Sequence, residues 1–264
     1  MLELKNITKI FNAGTVNEKV ALDDLTITLN EGDFVTVIGG NGAGKSTMLN
    51  AIAGTFPVDE GSIVIDGEDI TKWPEHKRAK FIGRVFQDPM TGTAADMWIE
   101  ENMALAKRRG KSRGLSWSIV QKDREKYREM LKRLDLGLED RMSTKVGLLS
   151  GGQRQAITLL MASMNHPKLL LLDEHTAALD PKTAAKVLSI TREIVESEQL
   201  TTLMITHNMK DALAHGNRLI MMNAGRIILD VSGEEKSKLT VEDLLAIFAK
   251  SGSDGAANDR MLLT

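Results

Sequence analysis

Two short stretches of the chain, separated by more than a hundred residues, carry the residue types that chemistry on phosphate requires. The first, Gly39-Gly40-Asn41-Gly42-Ala43-Gly44-Lys45-Ser46, fits the spacing G-x-x-x-x-G-K-[ST]. In such a loop the glycines let backbone N–H groups close around phosphate oxygens, and the helix that follows adds its positive end. Lys45 is then expected to reach the β- and γ-phosphates and Ser46 to hold Mg²⁺ through its hydroxyl, with Thr47 touching a phosphate farther from the transfer site. The second stretch is Leu169-Leu170-Leu171-Leu172-Asp173-Glu174. Carboxylates at the C-terminal edge of a buried parallel strand sit where ligands bind in such sheets. Asp173 is expected to hold Mg²⁺, directly or through water, and Glu174 to polarise an attacking water, the orienting group that phosphoryl transfer needs. Two acids that merely cap a turn would not explain their place after four leucines in a chain with a phosphate loop.

A glycine loop of this kind works between a strand and a helix. Residues 33–38 read as an apolar strand running into the loop, and 45–53 as a helix ended by Gly54. Upstream, 2–7 and 21–29 read as β elements, the latter with Leu25, Ile27 and Leu29 alternating with polar neighbours, and 12–19 as a turn or loop. Residues 62–65 form a strand before the Asp66-Gly67 turn, and the apolar stretch 81–86 leads to Gln87. From about 89 to 166 the texture changes to helices, at 98–107, 119–134 and 152–165. The βα rhythm then returns, with strands at 169–172 and 202–205, helices at 182–198 and 209–215, and a closing hairpin from 219–222 and 226–230. Continuous apolar strands of this type are buried on both faces of a parallel sheet. A terminal helix over 239–249 carries Thr240 as N-cap and Asp243 in an approximate capping box. The expected fold is α/β: a phosphate-loop core with a mostly parallel sheet, an N-terminal antiparallel β subdomain and a helical insert, forming one domain over 1–250 with a flexible tail at 251–264.

Composition narrows the partners. The 264 residues suffice for one sizeable core, and 42% apolar with 27% charged content is that of a globular protein. A net charge of -2 and 4% aromatics give no pull toward nucleic acid and little stacking surface for it. With no cysteine, disulfides and thiolate metal sites are excluded. The N-terminus alternates polar and apolar residues without a signal-peptide core, and no apolar run approaches the roughly 18 residues of a membrane span, so any membrane role is expected to pass through a partner.

A third motif makes the reading sharper. Leu149-Ser150-Gly151-Gly152-Gln153 resembles the signature of ATP-binding-cassette ATPases, and over nearly its whole length the chain is similar to the nucleotide-binding domain of ABC transporters. The resemblance implies ATP and Mg²⁺ as ligands and a head-to-tail pair with a second copy. In that pair Ser150, Gly151, Gly152 and Gln153 cap the ATP held by the other copy's phosphate loop, with a helix dipole behind them. On its own, Ser-Gly-Gly is an ordinary helix N-cap. Gln87 matches the hinge glutamine that touches Mg²⁺ and the attacking water; alone it reads as a loop residue before Asp-Pro. His207 matches the switch histidine bound to the γ-phosphate, and otherwise reads as a histidine at a strand end. Ala178-Leu179-Asp180 matches the segment that crosses the dimer interface, and Phe11 the aromatic stacked on adenine, unless Phe11 belongs to the core. The chain departs from the family at Asp173-Glu174-His175-Thr176, where proline usually follows the glutamate; His175 removes a fixed φ and adds a titratable group beside the site. This variant resembles a bacterial importer subgroup linked to uptake of aromatic or related amino acids.

The resemblance therefore implies an ATP-hydrolysing subunit at the cytoplasmic face of the membrane, driving a separate integral permease, with an extracytoplasmic solute-binding protein completing the system. The rival is a soluble cassette ATPase of translation or DNA repair, but those relatives carry tandem cassettes or a long coiled-coil insertion, and neither fits in 264 residues. A degenerate, binding-only cassette is opposed by intact Lys45, Asp173, Glu174, Ser150 and His207. The basic run Lys107, Arg108, Arg109, Lys111 and Arg113 reads as a solvated loop, or alternatively as a surface near anionic headgroups together with Gly114-Leu115-Ser116-Trp117. The pairs Met221-Met222 and Met161, Met164 read as core filler.

Overall fold

The computed structural model describes residues 1–111 and 119–251. It begins with β1 (Leu2–Phe11), β2 (Lys19–Leu29) and β3 (Phe34–Gly39), followed by α1 (Lys45–Ala53), β4 (Glu60–Ile65), β5 (Glu68–Asp69), α2 (Glu75–Arg78) and β6 (Ile82–Val85). Then come α3 (Ile99–Lys107), α4 (Gln121–Lys132), a 3₁₀ turn at Val146–Leu148 and α5 (Gly151–Ser163). The chain continues through β7 (Leu169–Asp173), α6 (Pro181–Glu198), β8 (Thr202–Ile205), α7 (Met209–Ala214), β9 (Arg218–Asn223), β10 (Arg226–Ser232), α8 (Gly233–Lys238) and α9 (Val241–Ser251).

The strands make two sheets. One is antiparallel in the order β2-β1-β4-β5; the other runs β10-β9-β3-β8-β7-β6, parallel from β9 to β6 with β10 antiparallel at its edge. The leucine run shows why the second sheet is buried on both sides. Leu169 and Leu171 join the core shared with the antiparallel sheet and α1, among Leu4, Val37 and Leu49. Leu170 and Leu172 face the opposite core, built from α3, α4, α5 and α6 around Tyr127, Leu160 and Ile194. Alternate side chains of a strand point to opposite faces, so a strand with a core on each side is apolar at every position. A third cluster, with Met221 and Leu219, packs the sheet end against α7 and α9, while Met222 belongs to the first core and Met161 to the second.

Helix α1 is bounded by two glycines with left-handed backbones, Gly44 (φ 100°) and Gly54 (φ 83°), which end it sharply on both sides. Its C-terminal carbonyls are taken up by a residue brought by α2. Arg78 is buried, and its Nη1 donates to Ala51 O (2.7 Å) and Ile52 O (2.8 Å) while Nε and Nη2 donate to Trp73 O and Thr71 O. The cap of α9 is as the sequence suggests: Thr240 Oγ1 accepts from Asp243 N–H at 3.2 Å and Asp243 Oδ2 accepts from Thr240 N–H at 2.9 Å. The basic run is less solvated than its composition suggests. Lys107 is ion-paired with Asp123, and Arg109 Nη2 donates to Ala162 O at 2.6 Å, tying the end of α3 to α4 and α5. Of the flexible tail expected at 251–264, Ser251 instead ends α9; the rest of it, like Arg113 and Gly114-Leu115-Ser116-Trp117, lies outside the described residues.

Candidate nucleotide site

A cleft of about 380 Å³ lies over the C-terminal end of β3, lined by Phe11, Lys19, Ala21, residues 41–47, Gln87 and Glu174. Its floor is the loop between β3 and α1. Lys45 is buried and bends back over the loop, its Nζ donating to Gly39 O (2.7 Å) and Gly40 O (3.1 Å). This holds the loop as a closed cradle with the ammonium inside it. The helix begins at Lys45, as the sequence suggests, so Ser46 and Thr47 stand on its first turn, where the backbone N–H groups have no helical partner.

The parallel pairing of β7 with β8 and β6 carries Asp173 to the same rim. Ser46 Oγ and Asp173 Oδ1 are 3.5 Å apart. Burial pushes the Asp173 carboxyl above its ordinary value, and Glu174 pushes the same way; the Arg84 guanidinium, the Ser46 hydroxyl and Lys45 pull it back. Glu174 leaves the strand with a left-handed backbone (φ 42°), while its N–H still bonds Ile205 O at 3.1 Å. That twist turns its carboxylate into the cleft, with Oε2 at 3.9 Å from His207 Nδ1. His207 sits at the end of β8, directly before Asn208, whose side chain caps α7 by accepting from Lys210 N and Asp211 N.

The described geometry thus brings Phe11, residues 41–47, Gln87 and Glu174 into one cleft, with Asp173 and His207 at its edge. Phe11 stands edge-on to Phe56 (centroids 5.3 Å apart) and still lines the cleft, so it is not sealed into the core. Ser150 to Gln153 are not among the residues lining this cleft. They start α5 elsewhere, with Ser150 and Gln153 bonded reciprocally: Ser150 Oγ accepts from Gln153 N at 3.3 Å and Gln153 Oε1 from Ser150 N at 3.2 Å. Asp180 caps α6 through Thr183 N–H at 3.1 Å.

His175 differs from the expectation of a titratable group beside the site. It is 2% exposed and turned away from the cleft onto α6, with Nε2 at 3.0 Å from Thr191 Oγ1. The Thr191 hydroxyl already donates to Val187 O, so the imidazole donates from Nε2–H. Burial, with His215 adding to it, pushes His175 down to about 4, so the ring is neutral at pH 7.

Two cations outside the sequence motifs belong to this geometry. Arg84, in mid-strand β6, places Nη2 at 3.8 Å from Asp173 Oδ2 and 2.6 Å from Asn50 Oδ1, and its guanidinium lies 4.5 Å from the Phe86 ring centroid. An arginine inside an otherwise apolar strand was the available signal. Lys19, placed by its sequence in a turn, opens β2 directly opposite Phe11.

The family model described as ABC transporter matches residues 22–177. A tyrosine transport ATP-binding protein of Clostridioides difficile is 44% identical over 248 residues, 94% of this chain and 98% of that protein. A phosphonates import ATP-binding protein of Lactobacillus johnsonii is 32% identical, over 92% of this chain and 95% of that one. Among solved structures, a dimeric ATP-binding cassette in a post-hydrolysis state bound to ADP and Pi superposes with a TM-score of 0.75 at 31% identity, covering 88% of this chain and 98% of that one. A glycine loop closed over Lys45, a carboxylate pair at a strand end and full-length similarity all lead to one conclusion: the chain belongs to the ABC transporter family and is one of its ATP-binding, ATP-hydrolysing cassettes.

Proposed function

We propose that this cassette powers uptake of an amino acid of the tyrosine type through a separate membrane-embedded permease, working as a head-to-tail pair of two copies at the cytoplasmic face, with an extracytoplasmic solute-binding protein delivering the cargo. The observation that carries the pairing is the separation of the two halves of the site. The phosphate loop lines its own cleft, whereas Ser150, at the start of α5, is exposed and absent from that cleft. A second copy facing the first supplies the missing cap: Ser150, Gly151, Gly152 and Gln153 against the γ-phosphate. The tyrosine reading rests on the 44% identity to the transport protein of that name. The separate permease is supported by the same similarity, which spans 98% of that ATP-binding protein; among the described residues no helix is long and apolar enough to cross a membrane.

In this reading Lys45 and the loop N–H groups bind the β- and γ-phosphates, Phe11 stacks on the base and Glu174 orients the attacking water, with His207 beside it on the γ-phosphate. The oxygens of Ser46 and Asp173, joined by Gln87, suit Mg²⁺, a hard cation that binds through one or two carboxylates plus substrate phosphates. The described residues hold no group of three or more acidic or histidine side chains able to hold a metal unaided, which fits a cation arriving with the nucleotide. Mg²⁺ neutralises charge on the phosphates when bound. ATP favours the closed pair over the open one, and loss of the γ-phosphate contacts to Ser150 and His207 reopens it. Gln87, between β6 and α3, carries that change to the helical insert.

The test is to purify the tagged chain from its own membranes in mild detergent and identify what accompanies it. A polytopic permease whose vesicles take up tyrosine on addition of ATP is expected. Ribosomal or DNA-repair proteins with no membrane partner would overturn the transporter reading in favour of the soluble cassette.

A further inference from the structure

We infer that Lys19 is a second phosphate-binding cation of the nucleotide site, acting from the antiparallel sheet opposite the phosphate loop. The register pairs Lys19 of β2 with Phe11 of β1. Directly opposed residues of an antiparallel pair project to the same face, so both side chains reach the same cleft, which they line together. The lysine extends across it: its Nζ lies 3.3 Å from where a Cβ on Gly42 would stand, above the crown of the loop. Among the described residues the Lys19 side chain has neither a hydrogen bond nor an ion pair, and the residue is exposed.

Its neighbours are already engaged. Lys9 donates to Asp59 Oδ1 at 3.0 Å and lies 5.5 Å from both the Phe11 and Phe56 rings. Lys45 is turned into the loop onto Gly39 O and Gly40 O. Lys19 is therefore the cation over the open side of the cleft, between the aromatic and the loop. Gly42 has no side chain there, which leaves room for the ammonium to approach the loop backbone and any phosphate seated on it. A polyphosphate bound in this loop presents oxygens to both sides; Lys45 meets them from below and Lys19 from above. The ammonium suits this role as a compact point charge with three rotatable donors on a flexible stem.

The inference rests on the cleft being the ATP site, and the experiment keeps the two claims apart. Displacement of a fluorescent ATP analogue from the full chain, with Mg²⁺ in excess, measures the affinities of ATP, ADP and AMP for the parent, Lys19→Ala, Lys19→Arg and Lys45→Ala. Because Lys19 is solvated, the effect is moderate: Lys19→Ala is expected to weaken ATP and ADP about three- to tenfold and AMP less. Lys19→Arg should stay within about twofold of the parent, and the difference should shrink as salt rises. Unchanged ATP affinity in Lys19→Ala, while Lys45→Ala abolishes binding, overturns the assignment of Lys19 alone. An equal loss for ATP, ADP and AMP overturns it as well, since the lysine would then act on the base or the fold. Undiminished ATP binding in both alanine variants overturns the cleft as the nucleotide site, and Lys19 with it.

Discussion

The buried imidazole of His175 makes the fold acid-sensitive in a way that can be calculated. In the folded chain burial pushes this group from 6.5 to about 4. A histidine neutral in the fold and free to protonate when unfolded contributes nothing above pH ~6.5 and destabilises as pH falls below it, until the folded ring itself protonates near pH 4. The unfolded chain binds the extra proton throughout that window, at about 1.4 kcal/mol per pH unit. From these two values the loss is about 1 kcal/mol at pH 5.5 and about 3 kcal/mol near pH 4, against almost none at pH 7.5. Other groups also titrate, so the comparison is with His175→Gln, whose amide can donate to Thr191 Oγ1 as the ring does but takes up no proton. Urea unfolding of both proteins at pH 7.5 and 5.5 isolates the term as a difference of differences. The parent should lose about 1 kcal/mol more than the variant over that interval. Equal losses would mean that the ring is solvated and titrates normally, and the inward orientation onto α6 would be wrong.

Three further outcomes follow from particular contacts. Glu174→Gln should retain ATP binding, accumulate the paired form and lower turnover by at least about 100-fold, the scale of a general base; unchanged turnover in an ATPase assay would remove Glu174 from its role. Tyr127→Phe should leave stability unchanged or raise it by up to ~1 kcal/mol, because the Tyr127 hydroxyl is buried with no hydrogen-bond partner among the described residues and its pKa is pushed up to about 12 mainly by burial. A fall in Tm of several degrees in differential scanning fluorimetry would reveal a partner for that oxygen. Arg78→Met should cost about 3 kcal/mol and roughly 6–12 °C in Tm, since four carbonyls around the end of α1 lose their donor; a shift near zero would show that water replaces it.

What the sequence disclosed depended on how local the cause was. Helix α1 was legible to the residue because both ends are punctuated by glycine within the chain itself. The leucine run announced a doubly covered strand because burial on two faces leaves no polar position in it. The four residues of α2 were missed: they carry no periodicity, and what holds them is Arg78 reaching back to the C-terminus of α1. Lys19 was hidden for a similar reason, since residues 12–19 read as a turn and only the β1–β2 register sets the lysine opposite Phe11. His175 was visible as a departure, but its state was not, because Thr191 lies sixteen positions away and on another element. The phosphate loop and the Asp173-Glu174 pair were legible as motifs, and the structure adds that a left-handed residue at Glu174 turns the second acid into the cleft.

The second glycine of the signature has a mechanical side. A Cβ at Gly152 would lie 2.1 Å from Thr183 Cγ2, so the first turns of α5 and α6 mesh like the teeth of two gears, with Thr183 seated where a side chain would be. Thr183 is itself pinned by Asp180, which ends the segment following Asp173 and Glu174. A shift at the start of α5 therefore meets the Thr183 methyl group at the start of α6 with little slack to absorb it. In the proposed pair, the surface that would meet a second copy is thereby geared to the segment that follows the carboxylates, and the tooth width at this contact is set by the absence of one carbon atom.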